Sequence, residues 1–266
     1  MNNNYNLTYP SENDYYDINV FNNNFSKLAD GIDEAKAGGY SGEIIIAAYN
    51  STNPLKNCAD YKCTQADCTS ILNAAVSKAD NKGKIVLLDG DYYLENIWTI
   101  NKSLHITGMG KFFTKIHEGD NSIKPNILRI TGSEVLIDNI GFEINGNTGN
   151  SNLISIGNDK IEINSCYFYL PYNLNSVDSA APIVFECQFV YSSIKNCFFE
   201  KYKDDRYVIR AEDTYVIGTI SGNFVRIIDT NTQIAVPVNL QSAQSYEQID
   251  FGSQKTTVYL KGILMK

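Results

Sequence analysis

Histidine and tryptophan are nearly missing from this 266-residue chain, which holds two of the first, His105 and His117, and one of the second, Trp98. So few imidazoles argue against a histidine-built metal centre, and the aromatic content falls to 18 Tyr and 12 Phe. Such rings suit stacked sheets and polar recognition surfaces. Runs of basic residues are also missing: 22 Lys and Arg stand against 30 Asp and Glu, a net charge of −8. A nucleic-acid binder needs a basic face, so no nucleic-acid partner is expected. The longest apolar run, Ile44 to Ala48, falls far short of the ~20 residues that cross a bilayer. The opening Met1-Asn2-Asn3-Asn4 has no basic and apolar leader. No membrane insertion is therefore expected, and synthesis in the cytoplasm without a signal peptide is.

Six cysteines are present, and they are poorly spaced for metal. Cys58, Cys63 and Cys68 form a C-x4-C-x4-C run with no His nearby, three loosely spaced ligands where zinc wants four in tight pairs. The simpler reading is reduced thiols, with Cys166 and Cys197 as small buried hydrophobes. A disulfide within the first three, formed after release from the cell, stays open. No metal and no cofactor are expected.

With 43 % hydrophobic and 20 % charged residues, the chain has the composition of a folded domain. Residues 1–17 read as a polar, Asn- and Tyr-rich arm. From Asp17, apolar residues recur at Ile18, Phe21, Phe25, Leu28, Ile32 and Ala35, spaced three and four apart. That is the seam of a short coiled coil, and the flanking Asn, Asp and Lys leave the stripe in need of a partner. An amphipathic helix packed on its own domain is the alternative. Gly38-Gly39 ends it. A strand is expected over residues 42–49, a loop over 50–62, and a second helix carrying Cys68, Ile71, Leu72, Ala75 and Ala79 on one face. Strand, tight turn and strand follow over residues 84–94.

Past residue 100 the sequence repeats. The segments Ile137 to Phe142, Ile163 to Phe168, Ile194 to Phe199 and Ile220 to Val225 share one order: Ile, any, small polar, mostly apolar, any, large apolar. Ile106 opens a degenerate copy and Ile85 begins the strand before it. Successive leading isoleucines lie 21, 31, 26, 31 and 26 residues apart. A flat strand would put positions 0, 2 and 4 on one face, yet here 0, 3 and 5 are apolar. A bend at position 2, where Asn139, Ser165, Asn196 and Gly222 stand, reconciles them. The pattern predicts a parallel β-helix of about six coils, with Phe142 above Phe168 in its interior and the second helix as a lid. A sandwich would alternate strictly, which these segments do not.

Two stretches are similar to known proteins. Residues 65–75 (Gln65-Ala66-Asp67-Cys68-Thr69 and onward), 83–92 (Gly83-Lys84-Ile85-Val86-Leu87 and onward) and 104–110 (Leu104-His105-Ile106-Thr107-Gly108-Met109-Gly110) resemble the capping helix and opening coils of pectate-lyase-like right-handed β-helices. That superfamily includes phage tailspikes and tail fibres. Residues 7–25, from Leu7-Thr8-Tyr9-Pro10 through Asp14-Tyr15-Tyr16-Asp17 to Phe25, resemble the N-terminal segment of tail-fibre proteins from phages and phage-tail-like bacteriocins of Gram-positive bacteria. The resemblance implies an all-β chain, a right-handed single-stranded parallel β-helix with an N-terminal coiled-coil helix and a short capping helix. Residues 1–40 would be the attachment arm and coiled coil, 41–230 the β-helix with its capping helix at about 66–81, and 231–266 the last coils or a distal tip. It further implies a homotrimer in the virion tail, joined to a baseplate or tail protein through Tyr9, Pro10, Asp14, Tyr15 and Tyr16, and trimerised through Ile18, Phe21, Phe25, Leu28 and Ile32.

Relatives on this scaffold cut polysaccharides, so the acids need weighing. Asp204-Asp205 sit beside Lys201-Tyr202-Lys203, where neighbouring side chains point apart and a solvated loop is the simpler account. The repeat register puts Glu143 and Glu200 two rungs apart, about 9.6 Å, near the upper limit for an inverting glycosidase. A surface pair between Glu200 and Arg226 is the plainer reading. Binding asks for less: Tyr167, Tyr169, Tyr172 and Tyr202 fall near coil edges, where rings stack on sugars. The expected function is a non-enzymatic receptor-binding tail-fibre subunit that contacts a host cell-surface glycan or glycoprotein. A polysaccharide depolymerase and an architectural adaptor for another fibre are the alternatives.

Overall fold

The computed structural model describes residues 22–27, 43–64, 67–119, 126–144, 152–170, 182–186, 189–201, 208–212, 215–227, 232–234 and 238–241. The chain divides into two compact units, Met1–Glu43 and Ile44–Lys266. In the first, residues 22–27 form a short helix on which Phe25 is 56 % exposed. The rest of the expected coiled-coil seam, Ile18, Phe21, Leu28 and Ile32, lies outside the described residues, as do the arm residues Tyr9, Pro10, Asp14, Tyr15 and Tyr16.

Among the described residues the second unit is nearly all β, and its strands fall into three sheets of eight, seven and six strands. From Gly83 to Ile227 the described strands visit the sheets in strict rotation. Gly83–Leu87 enters the first, Gly90–Leu94 the second and Trp98–Ile100 the third, and Leu104–Gly108 returns to the first. From Leu104–Gly108 on, each strand pairs in parallel with the strand three places earlier, until Thr232–Ile234 intervenes antiparallel to Phe224–Ile227 and Val238–Gln241 pairs in parallel with Ile209–Glu212, four places back. Six such rungs are described, the last formed by Tyr215–Ser221, Phe224–Ile227 and Val238–Gln241.

The register is the one the repeat predicts. Ile85 pairs with Ile106, Ile106 with Ile137, Ile137 with Ile163, Ile163 with Ile194 and Ile194 with Ile220. On the second sheet Tyr92, Ile116, Phe142, Phe168, Phe199 and Val225 form the matching inward column. All six are buried in the core the three sheets share. Its rings stack: Phe142 on Phe168 at 5.4 Å and Phe168 on Phe199 at 4.7 Å, with interplanar angles of 11° and 9°.

The bend at position 2 has a definite conformation. Asn139, Ser165, Asn196 and Gly222 all take positive φ, at 57°, 53°, 56° and 64°. Gly and Asn tolerate this left-handed region best, and one such residue swings the chain from the first sheet into the second. The next residue then points inward, and Ile140, Cys166 and Cys197 stack there fully buried. These two thiols act as the small hydrophobes expected, and burial pushes that of Cys166 well above its ordinary range. Among the described cysteines no disulfide is formed; Cys63 and Cys68 are buried and Cys58 is exposed.

Two local expectations are revised. The turn between Leu87 and Gly90 does not fold the second strand back onto the first but is a corner, after which Gly90–Leu94 joins a different sheet. The segment expected to be all loop carries a 3-10 turn, Pro54–Cys58, and a short strand, Tyr61–Lys62, which pairs with Glu43–Ala47 and extends the first sheet.

The N-terminal end of the stack offers three open strand edges, and each is satisfied differently. Glu43–Ala47 covers the first sheet. On the second, Asn50 Oδ1 accepts from the Asp91 amide at 2.8 Å, and the Tyr93 carbonyl accepts from the Cys68 amide at 2.8 Å. On the third, the helix Thr69–Lys78 lies against Trp98–Ile100, and its Asn73 imitates a missing strand. Asn73 Oδ1 accepts from the Thr99 amide at 3.0 Å and its Nδ2 donates to the Ile97 carbonyl at 3.3 Å. The helix is thus the lid, fastened by Asp67 Oδ1, which takes both the Thr69 amide at 2.8 Å and the Glu95 amide at 3.1 Å.

Asp89 anchors the neighbouring loop. Partial burial opposes its ionisation, but the Thr52 and Ser51 hydroxyls and the Thr52 and Asn53 amides all donate to it and bring its pKa down to about 2. A carboxyl depressed below its unfolded value of about 3.9 contributes stability that is complete above that pH and lost as pH falls through the folded value. The protection of the Thr52 and Asn53 amides, taken against the exchange rate of an unstructured peptide at the same pH, is therefore expected to fall between about pH 4 and pH 2, and Asp89→Asn should remove that pH dependence. Protection unchanged across the window would overturn the assignment.

Candidate ligand-binding face

The outward side chains of the second sheet form two columns. One runs Asp91, Lys115, Gly141, Tyr167, Phe198, Phe224, and the other Tyr93, His117, Glu143, Tyr169, Glu200, Arg226. Glu143 and Glu200 therefore share a column two rungs apart, with Tyr169 between them.

Near the lid, His117 is 6 % exposed, stacked on Tyr93 at 4.9 Å and bracketed by acids. Its Nε2 lies 2.8 Å from Asp91 Oδ1. Its Nδ1 is 3.3 Å from Glu143 Oε2, an ion-pair distance without hydrogen-bond alignment. Lys115 Nζ holds the other Glu143 oxygen at 2.9 Å. Burial opposes ionisation of Asp91, yet its bonds with His117 and Asn50 carry the carboxyl below its ordinary range. Farther along, Glu200 accepts a short hydrogen bond from the Tyr167 hydroxyl on one oxygen and one from Arg226 at 3.0 Å on the other. Burial, and then this donation to Glu200, raise the Tyr167 hydroxyl far above the usual phenol value, so it stays a donor.

Aromatic rings run beside these charges. Tyr167 stacks on Phe198 at 5.9 Å and on Tyr169 at 6.1 Å. Where the column would continue at the third rung stands Gly141, and the loop Met109–Phe113 lies over it. A Cβ on Gly141 would come within 2.5 Å of the Lys111 carbonyl oxygen. The missing side chain lets Phe112 come to rest 5.1 Å from Tyr167, so the loop supplies the ring that the strand does not. Phe112, Phe113, Met109 and Phe224 are 53 %, 68 %, 48 % and 46 % exposed, whereas Tyr167 is 8 % exposed and forms the floor beneath them.

The chain has no matching family model, and no curated protein matches it. Among solved structures it is similar to ORF18 of Geobacillus virus E2. The identity is 13 %, the TM-score 0.33, and the match covers 92 % of this chain. The chain spans 62 % of the length of that phage protein.

Of the residues singled out in the sequence, Glu143, Glu200, Tyr167 and Tyr169 come together on this face. Tyr172, Tyr202, Asp204 and Asp205 lie outside the described residues. Sequence reading passed over Phe112, Phe198, Phe224, Lys115 and His117. Two of them carried a signal: the fifth residue of each aligned repeat is aromatic in three copies, Tyr167, Phe198 and Phe224, and glycine in the fourth, Gly141. Among the described residues no group of three His, Cys, Asp or Glu side chains gathers as a metal site.

Proposed function

We propose that the chain is a receptor-binding tail-fibre subunit of a phage or phage-tail-like particle. Its three sheets would wind as one right-handed parallel β-helix, and the outer side of the second sheet would contact a host cell-surface glycan. One observation carries the choice of binding over cleavage: in both candidate catalytic acids of the face each carboxylate oxygen already has a partner, Lys115 and His117 for Glu143 and Tyr167 and Arg226 for Glu200, beside exposed rings. A general acid or base needs an oxygen free to meet substrate. The sequence resemblance of residues 7–25 supports the virion setting, a homotrimer and attachment to a baseplate or tail protein through the N-terminal arm.

A depolymerase is the second reading, favoured by the shared column of Glu143 and Glu200, whose two-rung separation of about 9.6 Å approaches the inverting range. The purified chain, incubated with intact host cells and with their wall polysaccharide, distinguishes the two. Cell binding without release of reducing ends or unsaturated products is the expected result, from a particle whose light-scattering mass is three chains. Turnover abolished by Glu200→Gln would replace the binding reading with the enzymatic one, and a monomer at micromolar concentration would remove the trimer. Cell binding lost on deleting residues 130–266 but kept on deleting residues 1–36 would argue against the adaptor.

A further inference from the structure

Resting on that reading, we propose that the ligand of the second face is an uncharged glycan chain lying along the stack across Phe112, Phe198 and Phe224, and not a phosphate-bearing wall polymer. Charge is the first ground. A polyanion binds where cations are left open to it, yet Lys115 and Arg226, the cations of these columns, already face acids. Lys115 meets Glu143 at 2.9 Å and Arg226 meets Glu200 at 3.0 Å. Lys111, in the overlying loop, sits above the Phe112 ring at 5.7 Å. The chain as a whole carries −8, so its long-range field repels anions.

Shape is the second ground. From the Gly141 rung, where Phe112 stands in, through Tyr167 and Phe198 to Phe224, an aromatic position recurs at every rung. At a rung spacing of about 4.8 Å these three steps span about 14 Å, room for several sugar rings in a row. The ends of the stripe, Phe112 and Phe224, are about half exposed over the buried Tyr167, and Tyr169 stands beside it in the adjacent polar column. Stacking of ring C–H faces on aromatics with hydroxyls turned to the polar edge suits a polyhydroxylated neutral chain.

The test measures binding of the full chain to Gram-positive cell walls before and after hydrofluoric acid removes phosphodiester-linked polymers, at salt from ~50 to ~500 mM, a range that screens exposed charges. Affinity is expected to stay within about twofold across both comparisons. Phe112→Ala and Phe198→Ala should each weaken binding about tenfold, the effect of losing a central aromatic contact. Gly141→Ala, which lifts the loop without touching the ligand, should weaken it as well. Circular dichroism and the unfolding midpoint, unchanged for the exposed Phe112→Ala, separate lost contacts from lost folding. Binding that disappears with the phosphate polymer, or falls steeply with salt, overturns the neutral ligand and leaves receptor binding standing. Failure to bind any wall preparation overturns both.

Discussion

Phe168→Ala is expected to lower the unfolding free energy by about 3–5 kcal/mol, the cost of emptying a well-packed aromatic site. Phe168 is fully buried and stacked on both sides, 5.4 Å from Phe142 and 4.7 Å from Phe199. Removing it takes the partner from two rings at once. The strands on either side are tied into parallel ladders and cannot close the gap without breaking register, so the void persists. Denaturant unfolding is the appropriate measurement, with a lower midpoint at unchanged slope reporting stability alone. Phe168→Leu keeps most of the volume and should cost under about 1.5 kcal/mol. Equal effects from the two variants, or a loss below about 1 kcal/mol for alanine, would show that the inward column is not a continuous core.

Asn73→Ala should damage the lid far more than its small apolar area suggests. The side chain contributes little apolar area, so a view of the helix as a greasy plug predicts a small effect. Its amide instead completes the open edge of the third sheet, holding the Thr99 amide at 3.0 Å and the Ile97 carbonyl at 3.3 Å. Each backbone group left unpaired costs about 1–3 kcal/mol, so a loss of about 2–4 kcal/mol is expected. Hydrogen exchange at Thr99 reads the event directly. The N–H should lose protection in the variant while amides of the central rungs keep theirs. The bared edge should also promote association between chains, visible as a rise in sedimenting or scattering mass on warming. Retained protection at Thr99 would mean that some other group seals the edge.

Much of this architecture was legible because the repeat violates ordinary strand alternation in one consistent way. Apolar residues at positions 0, 3 and 5 make sense only with a bend between them, and small polar residues stand at that bend in Asn139, Ser165, Asn196 and Gly222. The degenerate copy deviates for a physical reason. Gly108 keeps the small residue but not the left-handed conformation, because the loop Met109–Phe113 is inserted there and the chain turns by another route. Pairings across rungs were harder to see. Asp91, His117 and Glu143 are separated by 26 residues at each step, and only the register brings them together. Tyr167 shows the limit of residue type as a guide: read as a ligand-facing ring, it is the buried base on which the exposed Phe112 rests.

The constancy of the position-2 corner bears on how such a chain can change length. Ile137 and Ile163 occupy equivalent places one rung apart, as do Ile194 and Ile220, and both members of each pair are followed by the same corner two residues later. A cut at one isoleucine and a splice at its equivalent therefore removes or duplicates a whole storey with the ladders above and below still in phase. Such a chain can lengthen or shorten by segment duplication, without inventing a new interior each time. The stacked hydrocarbon column serves as a ruler whose graduations are copied from one another.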